Sequence, residues 1–261
     1  MPDTPPDQQP PAGLKLDSTL SKGLVILEAL AAAPGGLGVT ELSRDLSLTK
    51  STVFRLLQTL CAMGFARSTQ DRRYEATLKT WQVGRRVVDN LNLRDLAADA
   101  MQMLSRESLE TVYLGVPEGF SVIYIDKIDS QQPIRSWNPV GGAAPIQCVG
   151  TGKAILSVNY SQYRNALASR LTAYTDRSIT SLDKLDADLQ LAQKNGFAFD
   201  RGEFREGVIG FGAPICLPQG QAVAALGISM PEVNLRDGDL ARLGKIVRQA
   251  ADTVCARLAS R

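Results

Sequence analysis

The strongest constraint on the fold lies in residues 18–75, where three short helical periodicities follow one another too closely for any of them to bury its apolar face alone. Leu20, Leu24, Leu27 and Ala31 recur at helical spacing and the run stops at Pro34-Gly35-Gly36, which predicts a first helix over 18–33 with an apolar stripe that needs a partner. Thr40 is a candidate N-cap for a short second helix carrying Leu42 and Leu46 on one face, and Ser47-Leu48 makes the turn. Thr49 can cap a third helix in which Val53, Leu56, Leu57 and Leu60 stand at i, i+3, i+4 and i+7, while Lys50, Ser51, Arg55 and Gln58 point elsewhere and Gly64 ends the run. Residues 65–67 and 73–75 can pair as two short strands around a polar turn containing Asp71 and Arg72. Helix, helix, turn, helix and hairpin is the order of a winged helix-turn-helix.

Charge sets this segment apart. Between Val39 and Arg86 nine Lys and Arg stand against four Asp and Glu, whereas from Leu93 to the end the two signs are equal at eighteen each, so the positive excess is local. An α-helix fits the major groove and presents its N-terminal residues to base edges, which makes Thr49, Lys50, Ser51, Thr52 and Arg55 the candidate contacts. Arg55 suits a bidentate contact to guanine, and Lys50, Ser51 and Thr52 suit phosphates or bases. Arg67, Arg72 and Arg73 on the hairpin suit phosphates or the minor groove. Arg44 on the second helix suits a phosphate, or equally a surface pair with Glu41. For each residue taken singly, an ordinary solvated face is the alternative.

Several function classes are excluded by what the chain lacks. It has no histidine, which removes Ser-His and Cys-His nucleophiles, imidazole bases and histidine metal sites together. Cys61, Cys148, Cys216 and Cys255 are far apart and form no CxxC pair, so they signal neither zinc nor a disulfide framework and read as reduced thiols. Residues 1–13 are rich in Pro, Asp and Gln without a secretory pattern and read as a disordered tail; no run approaches the roughly 20 apolar residues of a membrane span. A soluble, cytoplasmic protein with no membrane association is expected.

A helical stretch over 78–109, broken near Asn90-Leu91-Asn92, can connect the two halves and supply a hinge over 89–93. Beyond it, residues 111–116 and 121–128 flank Pro117-Glu118-Gly119 and read as a hairpin. A strand near 134–137, helices near 151–156 and 181–195, strands near 208–216 and 222–229 and a terminal helix from Asp237 complete an α+β domain. The run Val149-Gly150-Thr151-Gly152-Lys153-Ala154 enters an apolar helix, so amides at the helix start could hold a carboxylate, or the glycines could serve only a tight turn. Its spacing fits neither a phosphate loop nor a dinucleotide fingerprint, so no ATP, NAD or other cofactor is implied. Asp200 and Glu203, beside the glycines of Glu206-Gly207-Val208-Ile209-Gly210, could line a polar cavity or form ion pairs with Arg201 and Arg205.

Four motifs in order carry a family resemblance over 18–261: Ser21-Lys22-Gly23-Leu24-Val25-Ile26-Leu27, Leu48-Thr49-Lys50-Ser51-Thr52-Val53-Phe54-Arg55-Leu56-Leu57, Gly150-Thr151-Gly152-Lys153-Ala154, and Gly196-Phe197-Ala198-Phe199-Asp200 leading to Glu203 and Gly207. In these the chain resembles the IclR family of bacterial transcriptional regulators. The resemblance implies a winged helix-turn-helix (17–77) behind a tail (1–16), a linker helix (78–92), and an α+β, GAF-like domain for effector binding and oligomerisation (93–261). It implies a homodimer or homotetramer, repressor or activator, that binds double-stranded operator DNA and a small organic acid, with no catalytic residues and no metal. The pocket positions it carries across are Gly150, Thr151, Asp200, Gly210 and Ser229, with Glu203 beside them. Gly210 stands where relatives often have a larger residue and Gly227 where they have a hydroxyl, so a roomier pocket suited to an aromatic acid is expected. Arg135 and Trp137 are candidates for a cation and a stacking face there, or Trp137 caps the core. Two rival readings are a ligand-independent architectural DNA binder and an enzyme with an accessory DNA-binding module.

Overall fold

The computed structural model describes residues 17–89, 93–135 and 138–260; the expected tail at 1–16, the centre of the expected hinge at 90–92 and Trp137 lie outside the described residues. Two compact units are formed, one on each side of residues 90–92.

In the first unit, α1 (Ser18–Ala32) is started by Asp17, whose carboxylate accepts from the amides of Thr19 at 3.0 Å and Leu20 at 2.8 Å. α2 (Val39–Asp45) is capped differently from the expectation. Gly38 occupies the N-cap, Glu41 reaches back to accept its amide at 2.7 Å, and Thr40 lies inside the first turn. α3 (Lys50–Ala62) is capped by Thr49, which accepts from the Thr52 amide at 3.3 Å. The wing, β1 (Ala66–Ser68) and β2 (Tyr74–Ala76), is antiparallel with Arg67 opposite Glu75, and Leu37 bridges to Tyr74 from the α1–α2 connection. α4 (Leu78–Asp89) follows.

Ile26, Leu30, Leu42, Val53, Leu56, Leu57, Ala66 and Tyr74 make this unit's core. The stripe expected to face it does not. Leu20 is 63% exposed and Leu24 51%, and with Leu27 they line an open apolar groove of about 530 Å³ closed on its other side by Leu60, Met63 and Phe65. Ile26 and Leu30, one row further round the helix, carry the packing instead.

The second unit begins with α5 (Leu93–Ser108) and continues through β3 (Thr111–Glu118), β4 (Ser121–Ile128), β5 (Ala143–Pro145), α6 (Gly150–Leu167), α7 (Leu182–Asn195), β6 (Ala198–Asp200), β7 (Val208–Cys216), β8 (Ala222–Pro231), one 3-10 turn (Glu232–Asn234) and α8 (Asp239–Ala259). Its six strands form one antiparallel sheet in the order β5-β4-β3-β8-β7-β6. β3 buries Val112, Tyr113 and Leu114 in succession, the mark of a strand covered on both faces. α6 and α7 pack over one face around Tyr113, Tyr124, Ile155 and Leu189, while α5 and α8 pack together on the other. The sheet ends in three-residue strands, one of them closing on Pro145, which limits its open edges. Residues 134 and 135, expected to start a strand, follow Pro133 in an irregular segment.

Candidate functional site

On the winged unit, α3 presents its first turn to solvent. Thr49, exposed at the cap, donates from Oγ1 to Thr52 Oγ1 at 2.9 Å and lies 3.1 Å from Ser51 Oγ, so three hydroxyls are held together where the helix dipole is positive and favours phosphate. Lys50 and Arg55 are exposed on the same helix. Arg72 stands exposed at the wing tip with a left-handed φ of 58°.

The other three candidate arginines, Arg44, Arg67 and Arg73, are engaged within the unit. Arg67 makes a two-nitrogen contact with Glu75, at 2.8 and 3.1 Å, across the β1–β2 pair. Arg73 turns away from the wing tip: its guanidinium donates to the carbonyls of Gly35 and Gly36 and pairs with Glu41 at 3.1 Å. It ties the wing to α2, a role invisible in sequence because the partners lie more than thirty residues away. Arg44 bonds its neighbour Asp45 at 2.9 Å, not Glu41, and at 77% exposure this pair is easily exchanged for a phosphate.

The second unit contains a small cavity of about 30 Å³ between the start of α6 and the sheet, and Gly150, Thr151, Asp200, Gly210 and Ser229 all line it. Val149 gives α6 no side-chain cap, which leaves the amides of its first turn without a capping partner. Thr151 is 5% exposed, and its Oγ1 lies beside the Tyr124 hydroxyl but makes no hydrogen bond of good geometry among the described residues. Asp200 Oδ1 accepts from the amides of Gly202 at 2.9 Å and Glu203 at 2.8 Å. Burial nonetheless pushes its carboxyl up to about 7, so it is a donor as well as an acceptor near neutrality.

Several wall residues were not proposed for a pocket from the sequence. Tyr113 and Tyr124 stack with ring centroids 4.6 Å apart, and Tyr113 OH accepts from the Asn138 amide at 2.9 Å. Arg205 lines the cavity, whereas Arg135, a candidate cation in the sequence, is exposed and does not line it. The pairing of β3 with β4 and β8 brings the tyrosines to the site, and that register is not legible from one strand alone.

Three further expectations are corrected. Glu203 lines no part of the cavity; it forms a buried ion pair with Lys153, whose ammonium also reaches Asp188 at 2.7 Å and the Phe199 carbonyl at 3.3 Å. Gly227 does not enlarge the cavity, because a Cβ there would meet Phe211 O at 2.4 Å and Thr151 Cγ2 at 2.6 Å; the glycine permits close strand and helix packing. Gly210 does leave space, with no atom nearer than 3.4 Å to its missing Cβ. The cavity is nevertheless small, since a cavity that holds benzene measures about 150 Å³.

Two family models match: one described as the IclR helix-turn-helix domain over residues 19–70, and one described as bacterial transcriptional regulator IclR C-terminal over 85–256. The chain is 31% identical over 244 residues to the HTH-type transcriptional regulator KdgR of Escherichia coli K12, covering 92% of each chain. Among solved structures it is similar to the IclR of Thermotoga maritima (TM-score 0.78, 26% identity, 92% of this chain and 98% of that one). It also shares the fold of an IclR homolog from Microbacterium hydrocarbonoxydans crystallised with 4-hydroxybenzoate (TM-score 0.81, 21% identity, 94% and 100%).

Proposed function

Since the chain belongs to the IclR family of bacterial transcriptional regulators, and so is a DNA-binding regulator rather than an enzyme, we propose that it responds to a small organic acid held at the start of α6. The observation that carries this reading is Thr151, whose buried hydroxyl faces only the Tyr124 hydroxyl, makes no hydrogen bond of good geometry among the described residues, and lines the same cavity as the uncapped start of α6 and Asp200. A ligand carboxylate would take the amides and the Thr151 hydroxyl, the body of the ligand would lie against Tyr113, Tyr124 and Phe211, and Asp200 would meet a hydroxyl or a second oxygen. An aromatic acid needs more space than the cavity has, and Phe204 and Arg205 at its wall are the side chains whose displacement would supply it. Binding and opening are then one equilibrium, and the acid selects the open form.

The groove of Leu20, Leu24, Leu27 and Met63, together with Leu78 and Trp81 exposed on α4, supports a homo-oligomer in which winged units pair through these apolar surfaces. Lys50, Ser51, Thr52 and Arg55 would then read successive operator half-sites in the major groove, with Arg72 at the adjoining backbone. A coupling of roughly 1–3 kcal/mol between effector and operator sites would change DNA affinity about 5- to 150-fold.

Calorimetric titration of aromatic and aliphatic monocarboxylates into the full chain and its Thr151→Val variant tests the pocket. Saturable binding of an acid, weakened at least tenfold in the variant, is the expected outcome. Binding that Thr151→Val leaves unchanged places the site elsewhere, and binding of short α-keto acids alone overturns the aromatic preference.

A further inference from the structure

Two thiols outside the ligand cavity meet where β7 ends. Cys216 closes β7 at the point where its pairing with β8 shifts register, and Cys255 lies in the last turns of α8. The backbone amide of Cys216 donates to Cys255 Sγ at 3.1 Å, the Cys255 thiol itself donates to the Pro214 carbonyl at 3.9 Å, and both cysteines are partly exposed. A sulfur this close to a residue's own amide is within reach of that residue's side chain, so a bond between the two sulfurs needs little backbone movement. Cys61 belongs to the other unit and Cys148 is buried.

We propose that Cys216 and Cys255 form a reversible oxidation site, at which hydrogen peroxide converts the two thiols into a disulfide that joins the end of β7 to α8. The Cys255 thiolate attacks one peroxide oxygen and the O–O bond breaks; the departing hydroxide takes up the proton that Cys255 released and leaves as water. Cys255 is now a sulfenic acid. The Cys216 sulfur attacks the sulfenic sulfur, the S–S bond forms, and the displaced hydroxide leaves as a second water with the Cys216 proton. Two thiols lose two electrons in total and one peroxide gains them.

The order of attack follows from the donors. The Cys216 thiol and amide both stabilise a negative sulfur at Cys255 and lower its pKa, against burial and the charge of Asp252 one turn away. Donating to that sulfur, together with burial, pushes the Cys216 thiol up. Burial raises Cys61 as well, and holds Cys148 up to about 12, so neither competes as a thiolate.

The bond would join two elements that bear on the rest of the unit. β7 contributes Gly210 and Phe211 to the ligand cavity. On α8, two residues beyond Cys255, Arg257 donates to the Leu96 carbonyl at 3.0 Å and to Asp99 at 2.7 Å on α5, the first helix of the unit.

The test is to expose the reduced full-length protein to hydrogen peroxide, digest it without reductant and map the peptides by mass. The expected product is the Cys216 and Cys255 peptides of one chain joined with loss of two hydrogens, separated again by dithiothreitol, and formed before Cys61 or Cys148 reacts. Cys216→Ser should stop at a sulfenic acid on Cys255 that dimedone labels, and Cys255→Ser should leave Cys216 reduced at the same dose. The proposal is overturned if both thiols stay open to alkylation after peroxide, if Cys61 oxidises first, or if the links form between chains.

Discussion

Replacing Asp200 by Asn should stabilise the protein at neutral pH and abolish part of its pH dependence. The Asp200 side chain is 5% exposed, and burial lifts its carboxyl from 3.8 to about 7 against the lowering effect of the Gly202 and Glu203 amides. A tenfold change in proton affinity corresponds to about 1.4 kcal/mol, so ionising this group in the folded protein costs on the order of 4 kcal/mol. The direction follows from which state releases the proton first. The folded value lies above the unfolded one, so stability from this group is full below 3.8, falls by about 1.4 kcal/mol per pH unit as pH rises, and levels off above about 7. Asparagine keeps an oxygen for the two amides and never ionises. Urea unfolding followed by circular dichroism from about pH 5 to about pH 8 should therefore show wild type losing stability relative to Asp200→Asn, with the variant ahead by a few kcal/mol at the upper end. Glu203, also raised by burial, is present in both proteins, and its charge adds to the upward shift of Asp200. Equal pH slopes, or a variant weaker at pH 8, would refute the reasoning.

Lys153→Met should leave Glu203 and Asp188 without their buried cation, costing about 3–5 kcal/mol and lowering Tm by roughly 10 °C in a calorimetric scan. In DNA titrations Arg55→Ala should lose about 1–3 kcal/mol and relax preference at one base position, whereas Arg67→Ala, whose charge Glu75 already answers, should change affinity less than about threefold. Gly227→Ser should destabilise by about 1–3 kcal/mol, read by urea midpoint, because its Cβ overlaps Phe211 O and Thr151 Cγ2.

Helix periodicity and caps made α1 and α3 legible, and apolar runs bounded by Gly and Pro did the same for β3, β4, β7 and β8. Three-residue strands such as β5 and β6 carry too few positions for any period to register. On α1 the pattern pointed to the wrong row: Leu20, Leu24 and Ile26 are equally apolar, and only the placement of α3 decides which of them is covered. The pocket was half legible. Gly150, Thr151 and Asp200 sit in local motifs, but Tyr113 and Tyr124 reach the cavity through strand pairings distant in sequence. The same distance hid the partners of Arg73 and Lys153, so a cation suited to DNA and a residue of a glycine-rich loop turned out to be internal ties.

In the proposed function the ligand cavity and operator binding are coupled. The most direct test is fluorescence anisotropy of the full-length protein on the intergenic DNA upstream of its own gene, at two salt concentrations, with and without aromatic and aliphatic acids. Salt-sensitive, sequence-selective binding that one acid shifts about 5-fold or more, with the shift lost in Thr151→Val, is the predicted result. Equal binding to every duplex, indifferent to all acids, would rule out this coupling and favour an architectural DNA binder.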